Sequence, residues 1–142
     1  MKLIRVPLAL FGLVSIVGAC ADKTQIAQTV DAAKIATVAS AADLQAEMGR
    51  GGVTVVHALD AEHYGKGHVP GAVNVDSETM AAGDLPADKS ARLIFYCAGP
   101  GCPVSHMAAN KAASYGYTNV AVYPGGIQDW RASGMEVAAG SN

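Results

Sequence analysis

No basic cluster, no aromatic stripe and no block of like charge occurs in this chain of 142 residues. Their absence excludes the electrostatic and stacking footprint of a nucleic-acid binder. Charged residues make up only 15% of the chain against 51% hydrophobic, so one compact domain fits and a disordered tail or fibre does not. Repeats at solenoid spacing and low-complexity segments are missing too. Cysteines are few, Cys20, Cys97 and Cys102, and no C-x-x-C pair of the kind structural zinc uses is present. Cys97, Cys102 and His106 are separated by four and three residues, but a fourth ligand is missing locally, so no metal is assigned.

The long apolar run is N-terminal. Lys2 and Arg5 precede Val6 to Ala19, and the run ends in small residues before Cys20. It is too short to span a bilayer comfortably, and Pro7 and Gly12 weaken it as a permanent helix. We read residues 1–19 as a secretory signal peptide. "VGAC" is similar to a bacterial lipobox, which implies that Cys20 is lipidated and anchors an exported chain to a membrane of the bacterial cell envelope, facing the periplasm. Ordinary cleavage after Ala19 is the alternative and leaves a soluble protein. Either cut removes two cations and no carboxylate, taking the formal charge from -2 to -4. Residues 20–36 are alanine-rich and polar and read as a linker; 37–138 form the domain and 139–142 a C-terminal tail.

Within the domain, strand-like and helix-like runs alternate. "ATVAS" suits a short strand, and Ser40 with Asp43 starts a helix carrying Leu44 and Met48 on one face. Val53 to Leu59 and Arg92 to Cys97 are nearly continuous in apolar character, as expected of strands covered on both faces, and Asn119 to Tyr123 is a third such run. Pro103 to Tyr115 reads as a helix, with proline in its first turn and Gly116 past its end. The expectation is an α/β three-layer sandwich of about five parallel strands with helices on both faces.

Chemistry in such sheets gathers beyond the carboxyl ends of the strands, where Cys97 sits. If Ala98, Gly99, Pro100, Gly101 and Cys102 bend as their glycines and proline suggest, backbone N–H groups face inward and meet the positive end of the following helix. Such a cradle lowers a thiol's pKa and holds an anion, which suits capture of a sulfane sulfur as a persulfide.

Three segments in order resemble the rhodanese-like sulfurtransferase domain: "HYGKGHVPGAVNV", "LIFYCAGPGC" and "YGYTNVAVYPGGIQDWRASGMEV". The resemblance, over Val38 to Val137, implies a five-stranded parallel sheet and a six-residue loop with Cys97 as catalytic nucleophile. It implies a small sulfur donor, a thiol, cyanide-like or protein acceptor, and no cofactor. Gly125 and Gly126 would supply positive φ in a loop packed beside the cysteine loop, His68 would bond backbone, and Trp130 with Ile127 would anchor the last helix. Two departures stand out. Where the family commonly has Asp-x-Arg this chain has His57 and Leu59, and where relatives often carry a loop arginine it has Cys102. The loop holds no cation, so anion binding would rest on backbone N–H groups with Ser105 or His106. A phosphatase loop would be one residue longer and end in arginine. Cys102 could resolve a persulfide, form a protective disulfide or be an inert loop residue. The alternative function is a catalytically silent binding or redox-sensing module using a Cys97–Cys102 disulfide.

A Cys20→Ala variant is expected to leave the membrane fraction after a salt wash; continued pelleting with membranes, read by fractionation and immunoblot, overturns the anchor.

Overall fold

The computed structural model describes residues 34–141; the signal segment, Cys20, linker residues 21–33 and Asn142 lie outside the described residues. In chain order the elements are β1 (Ala36–Thr37), α1 (Ala41–Arg50), β2 (Val53–His57), α2 (Ala61–Lys66), β3 (Val73–Asn74), a short 3-10 turn (Ala82–Asp84), β4 (Arg92–Tyr96), α3 (Val104–Ser114), β5 (Val120–Tyr123) and α4 (Gly126–Ala132). The five strands pair in parallel in the order β1-β5-β4-β2-β3, with β4 at the centre.

Period-two alternation divides the strand side chains between two cores. Val56, Leu93, Phe95, Val120 and Val122 pack with Ala108, Ala109 and Ala112 of α3 on one face. Val55, Ile94, Tyr96, Ala121 and Tyr123 pack with Leu44 of α1 and Trp130 of α4 on the other. Each fully buried side chain of the larger kind contributes about 1.5–3 kcal/mol, so both faces must be covered. The expected three-layer α/β architecture is thus observed.

Local signals set most boundaries. Ser40 caps α1 by accepting the Asp43 amide at 3.2 Å, and Gly51 ends it at φ 75°. Pro103 sits just before α3, and Gly116 follows it at φ 91°. Strand β2 stops at His57, two residues short of the apolar run. Beyond it the Ala58 amide still donates to Tyr96 O at 2.9 Å, but the Asn74 side-chain amide takes the carbonyls of His57 at 3.2 Å and Leu59 at 2.6 Å. The two-residue edge strand β3 pairs with Val56 and His57 and carries no periodicity of its own in the sequence.

Trp130 is 3% exposed and donates its indole N–H to Glu136 O at 2.6 Å, closing the C-terminal segment onto α4. Trp130→Ala is expected to cost about 3–5 kcal/mol in urea unfolding, through the cavity and the orphaned carbonyl. A loss below about 1 kcal/mol, the level of an uncoupled surface change, would show that this ring does not hold the helix.

Candidate active site

Strand β4 delivers the chain to Cys97 at its carboxyl end. Alternation from Phe95 points residue 97 towards the α3 face, and the residue is fully buried there. Its Sγ lies 3.5 Å from Ser105 Oγ in the first turn of α3 and 3.4 Å from the carbonyl oxygen of Cys102. Ser105 is itself fully buried. As a thiol, Cys97 donates to these oxygens; as a thiolate, it accepts from the hydroxyl and amide of Ser105.

The loop is held from outside by α4. The amides of Ile127 and Gln128 donate to the carbonyls of Cys97 and Ala98, each at 3.0 Å. This approach needs glycine at 126, which adopts φ 60° and whose added Cβ would lie 2.5 Å from Cys97 O and 2.6 Å from Gly99 N. Gly125 has negative φ, contrary to expectation; the Asp129 side chain crowds it instead. Gly99 is buried under Gln128, Ala98, Pro100 and Gly101 are exposed, and Cys102 is half-buried.

Two features of the expected anion cradle change. The Cys102 amide closes a turn on Gly99 O at 3.1 Å, so it is not turned to the thiol, and the donors to the sulfur come from Ser105. The Cys97 pKa is raised rather than lowered. Desolvation is the largest cause and the neighbouring Cys102 side chain adds to it, while Ser105 pulls the other way. His106, one residue along α3, is exposed, and its side chain makes no hydrogen bond among the described residues.

His57, one of the two positions that depart from the expected Asp-x-Arg, is sealed among aromatic rings. It meets Tyr64 and Tyr96 edge-on, with centroids 5.6 and 5.1 Å away, and its Nδ1 has no partner among the described residues. Burial pushes its pKa down to about 4, so the ring is neutral at physiological pH. His68 stacks on Tyr64 and bonds Tyr64 O through Nδ1 at 2.9 Å, the backbone role expected of it. Its signal lay in the "GHVPGA" turn; nothing in the sequence announced the enclosure of His57. Beside α3, a cleft of about 170 Å³ is lined by Asp60, Asp76 and Glu78 with Leu59 and Val104, and by no cation. Among the described residues no three His, Cys, Asp or Glu side chains converge as metal ligands would.

A thiol with a raised pKa gains thiolate tenfold per pH unit until that pKa is reached. Alkylation of Cys97, read by peptide mapping, is therefore expected to accelerate with pH through and beyond the ordinary thiol range. A plateau near neutral pH would overturn this account of the site.

The rhodanese-like domain profile matches residues 40–133. A transcriptional regulator of the HTH type from Mycobacterium tuberculosis, Rv0324, is 31% identical over 138 residues, 93% of this chain and 58% of that protein. The chain thus spans little more than half of that relative. The thiosulfate:glutathione sulfurtransferase of Saccharomyces cerevisiae is 28% identical over 95 residues, 58% of this chain and 67% of the relative. Among solved structures, the BH2092 protein from Bacillus halodurans superimposes with a TM-score of 0.66 at 31% identity, covering 73% of this chain and 77% of its own. With the profile spanning strands β2 to β5, the cysteine loop and α4, the chain belongs to the rhodanese-like domain family.

Proposed function

We propose that this chain is a sulfurtransferase in which Cys97 takes a sulfane sulfur from a donor, carries it as a persulfide and yields it to a thiol or cyanide-like acceptor. The observation that carries the reading is the Cys97 thiol, buried at the end of the central strand with Ser105 Oγ 3.5 Å from its sulfur. The Cys97 thiolate attacks the sulfane sulfur, the bond from that sulfur to its donor breaks, and the donor leaves with the electron pair. An acceptor thiolate then attacks the outer sulfur of the persulfide and Cys97 departs as thiolate. Ser105 offers a hydroxyl and an amide to the sulfur anion at both stages. The chain's own thiol supplies the covalent chemistry, so the cycle calls for no resident cofactor.

Charge bears on the donor. The loop carries no cation to balance a second negative charge, so a doubly charged anion such as thiosulfate is held less well than a persulfide of lower charge. The name of the yeast relative, a thiosulfate:glutathione sulfurtransferase, supports the reaction class. In the same reading, residues 1–19 export the protein, Cys20 anchors it, and residues 20–36 tether the domain at 37–138 in the cell envelope.

The test is intact mass spectrometry of the acid-quenched first turnover. One added sulfur on Cys97 is expected, absent from Cys97→Ser and formed faster from cysteine persulfide than from thiosulfate. No sulfur reaching Cys97 from either donor, with a Cys97–Cys102 disulfide formed by oxidant alone, overturns transfer in favour of a redox-sensing module.

A further inference from the structure

The turn that closes the cysteine loop brings residue 102, which carries the loop's second thiol, back against Cys97. Gly101 at φ 87° and the bond from the Cys102 amide to Gly99 O at 3.1 Å reverse the chain, so that residue 102 lies against the Cys97 sulfur, its carbonyl oxygen 3.4 Å from Sγ. That carbonyl contact fixes the backbone of residue 102 beside Cys97 Sγ, the sulfur that would become the inner atom of a persulfide. Burial differs between the two residues: Cys97 is enclosed, while Cys102 is partly open to solvent. Resting on the sulfurtransferase reading above, we infer that Cys102 is the resolving thiol of this site, releasing the captured sulfur as hydrosulfide and leaving a Cys97–Cys102 disulfide.

The step balances internally. The Cys102 thiolate attacks Cys97 Sγ, the bond between Sγ and the sulfane sulfur breaks, and that sulfur leaves with the electron pair as hydrosulfide, its proton coming from the persulfide. The sulfane sulfur is reduced by two electrons and the two cysteines are oxidised to the disulfide by the same two. A small external thiol or a dithiol protein then reduces the disulfide by exchange, attacking through half-exposed Cys102 and leaving as its own disulfide.

Leaving-group chemistry selects this outcome over passage of the sulfur to Cys102. Attack on the outer sulfur would expel the Cys97 thiolate, a poor leaving group because burial disfavours its charge, whereas attack on Sγ expels hydrosulfide, the anion of a stronger acid. The Cys102 side chain flanks Cys97 closely enough to influence its ionisation, as an attacking neighbour must.

The experiment uses the full-length protein, reduced, freed of reductant and treated anaerobically with one equivalent of cysteine persulfide. Wild type is expected to release a single burst of sulfide and become lighter by two hydrogen atoms, with a Cys97–Cys102 cross-link in the peptide map. Cys102→Ser and Cys102→Ala are expected to lose the burst and retain the extra sulfur on Cys97. A dithiol should convert the wild-type burst into continuous release. If wild type retains its persulfide, or the Cys102 variants release sulfide as fast, the resolving role is overturned and the transfer reading stands. If neither wild type nor the Cys102 variants acquire sulfur at Cys97 and no sulfide is released, both are overturned.

Discussion

Two backbone hydrogen bonds govern the site: Ile127 and Gln128 donate their amides to the carbonyls of Cys97 and Ala98. Each contributes only about 1 kcal/mol net, yet together they use amides of the first turn of α4 that have no partner within the helix. They commit the carbonyls of Cys97 and Ala98 to α4, while the thiol meets the Cys102 carbonyl and Ser105 in the first turn of α3. Such close approach of two backbones is possible only because residue 126 lacks a side chain, and Gly99 likewise leaves room for Gln128. The β4–α3 and β5–α4 connections are thus one structural unit, joined across the carboxyl edge of the sheet.

That unit sets a tension at Cys97. Complete burial removes the thiol from water and raises its pKa, while the Ser105 hydroxyl and amide favour the thiolate. Desolvation wins in the resting site, so the reactive anion is a minor species at neutral pH, though an intrinsically stronger nucleophile for its basicity. The loop itself carries no cation. The site is therefore built from hydrogen bonds and burial rather than from charge complementarity.

The aromatic enclosure of His57 shows how the fold accommodates an imidazole at the end of β2. Tyr64 and Tyr96 surround a neutral ring, and the Asn74 amide ties the carbonyls of His57 and Leu59. These carbonyls are satisfied without buried charge, which avoids a desolvation cost that ion pairing does not always offset.

Much of this was legible in the residues themselves. The apolar runs at Val53, Arg92 and Asn119, the Ser40 cap and the Pro103 to Gly116 punctuation determined the main strands and helices, because local sterics and period-two burial act within a few residues. The position of Cys97 at a strand end before a helix followed from the same order. Strand β3 was not legible, since two residues hold no period and its pairing comes from β2. Nor were the enclosure of His57, the sign of the Cys97 pKa shift, or the diversion of the Cys102 amide to Gly99. Those depend on segments far apart in the chain: β2 with α2 and β4 around His57, and α4 with α3 around the loop. Sequence determined the elements and the place of Cys97 among them; tertiary packing alone decided its solvation and its donors, because burial and hydrogen bonding at Cys97 are properties of everything packed around it.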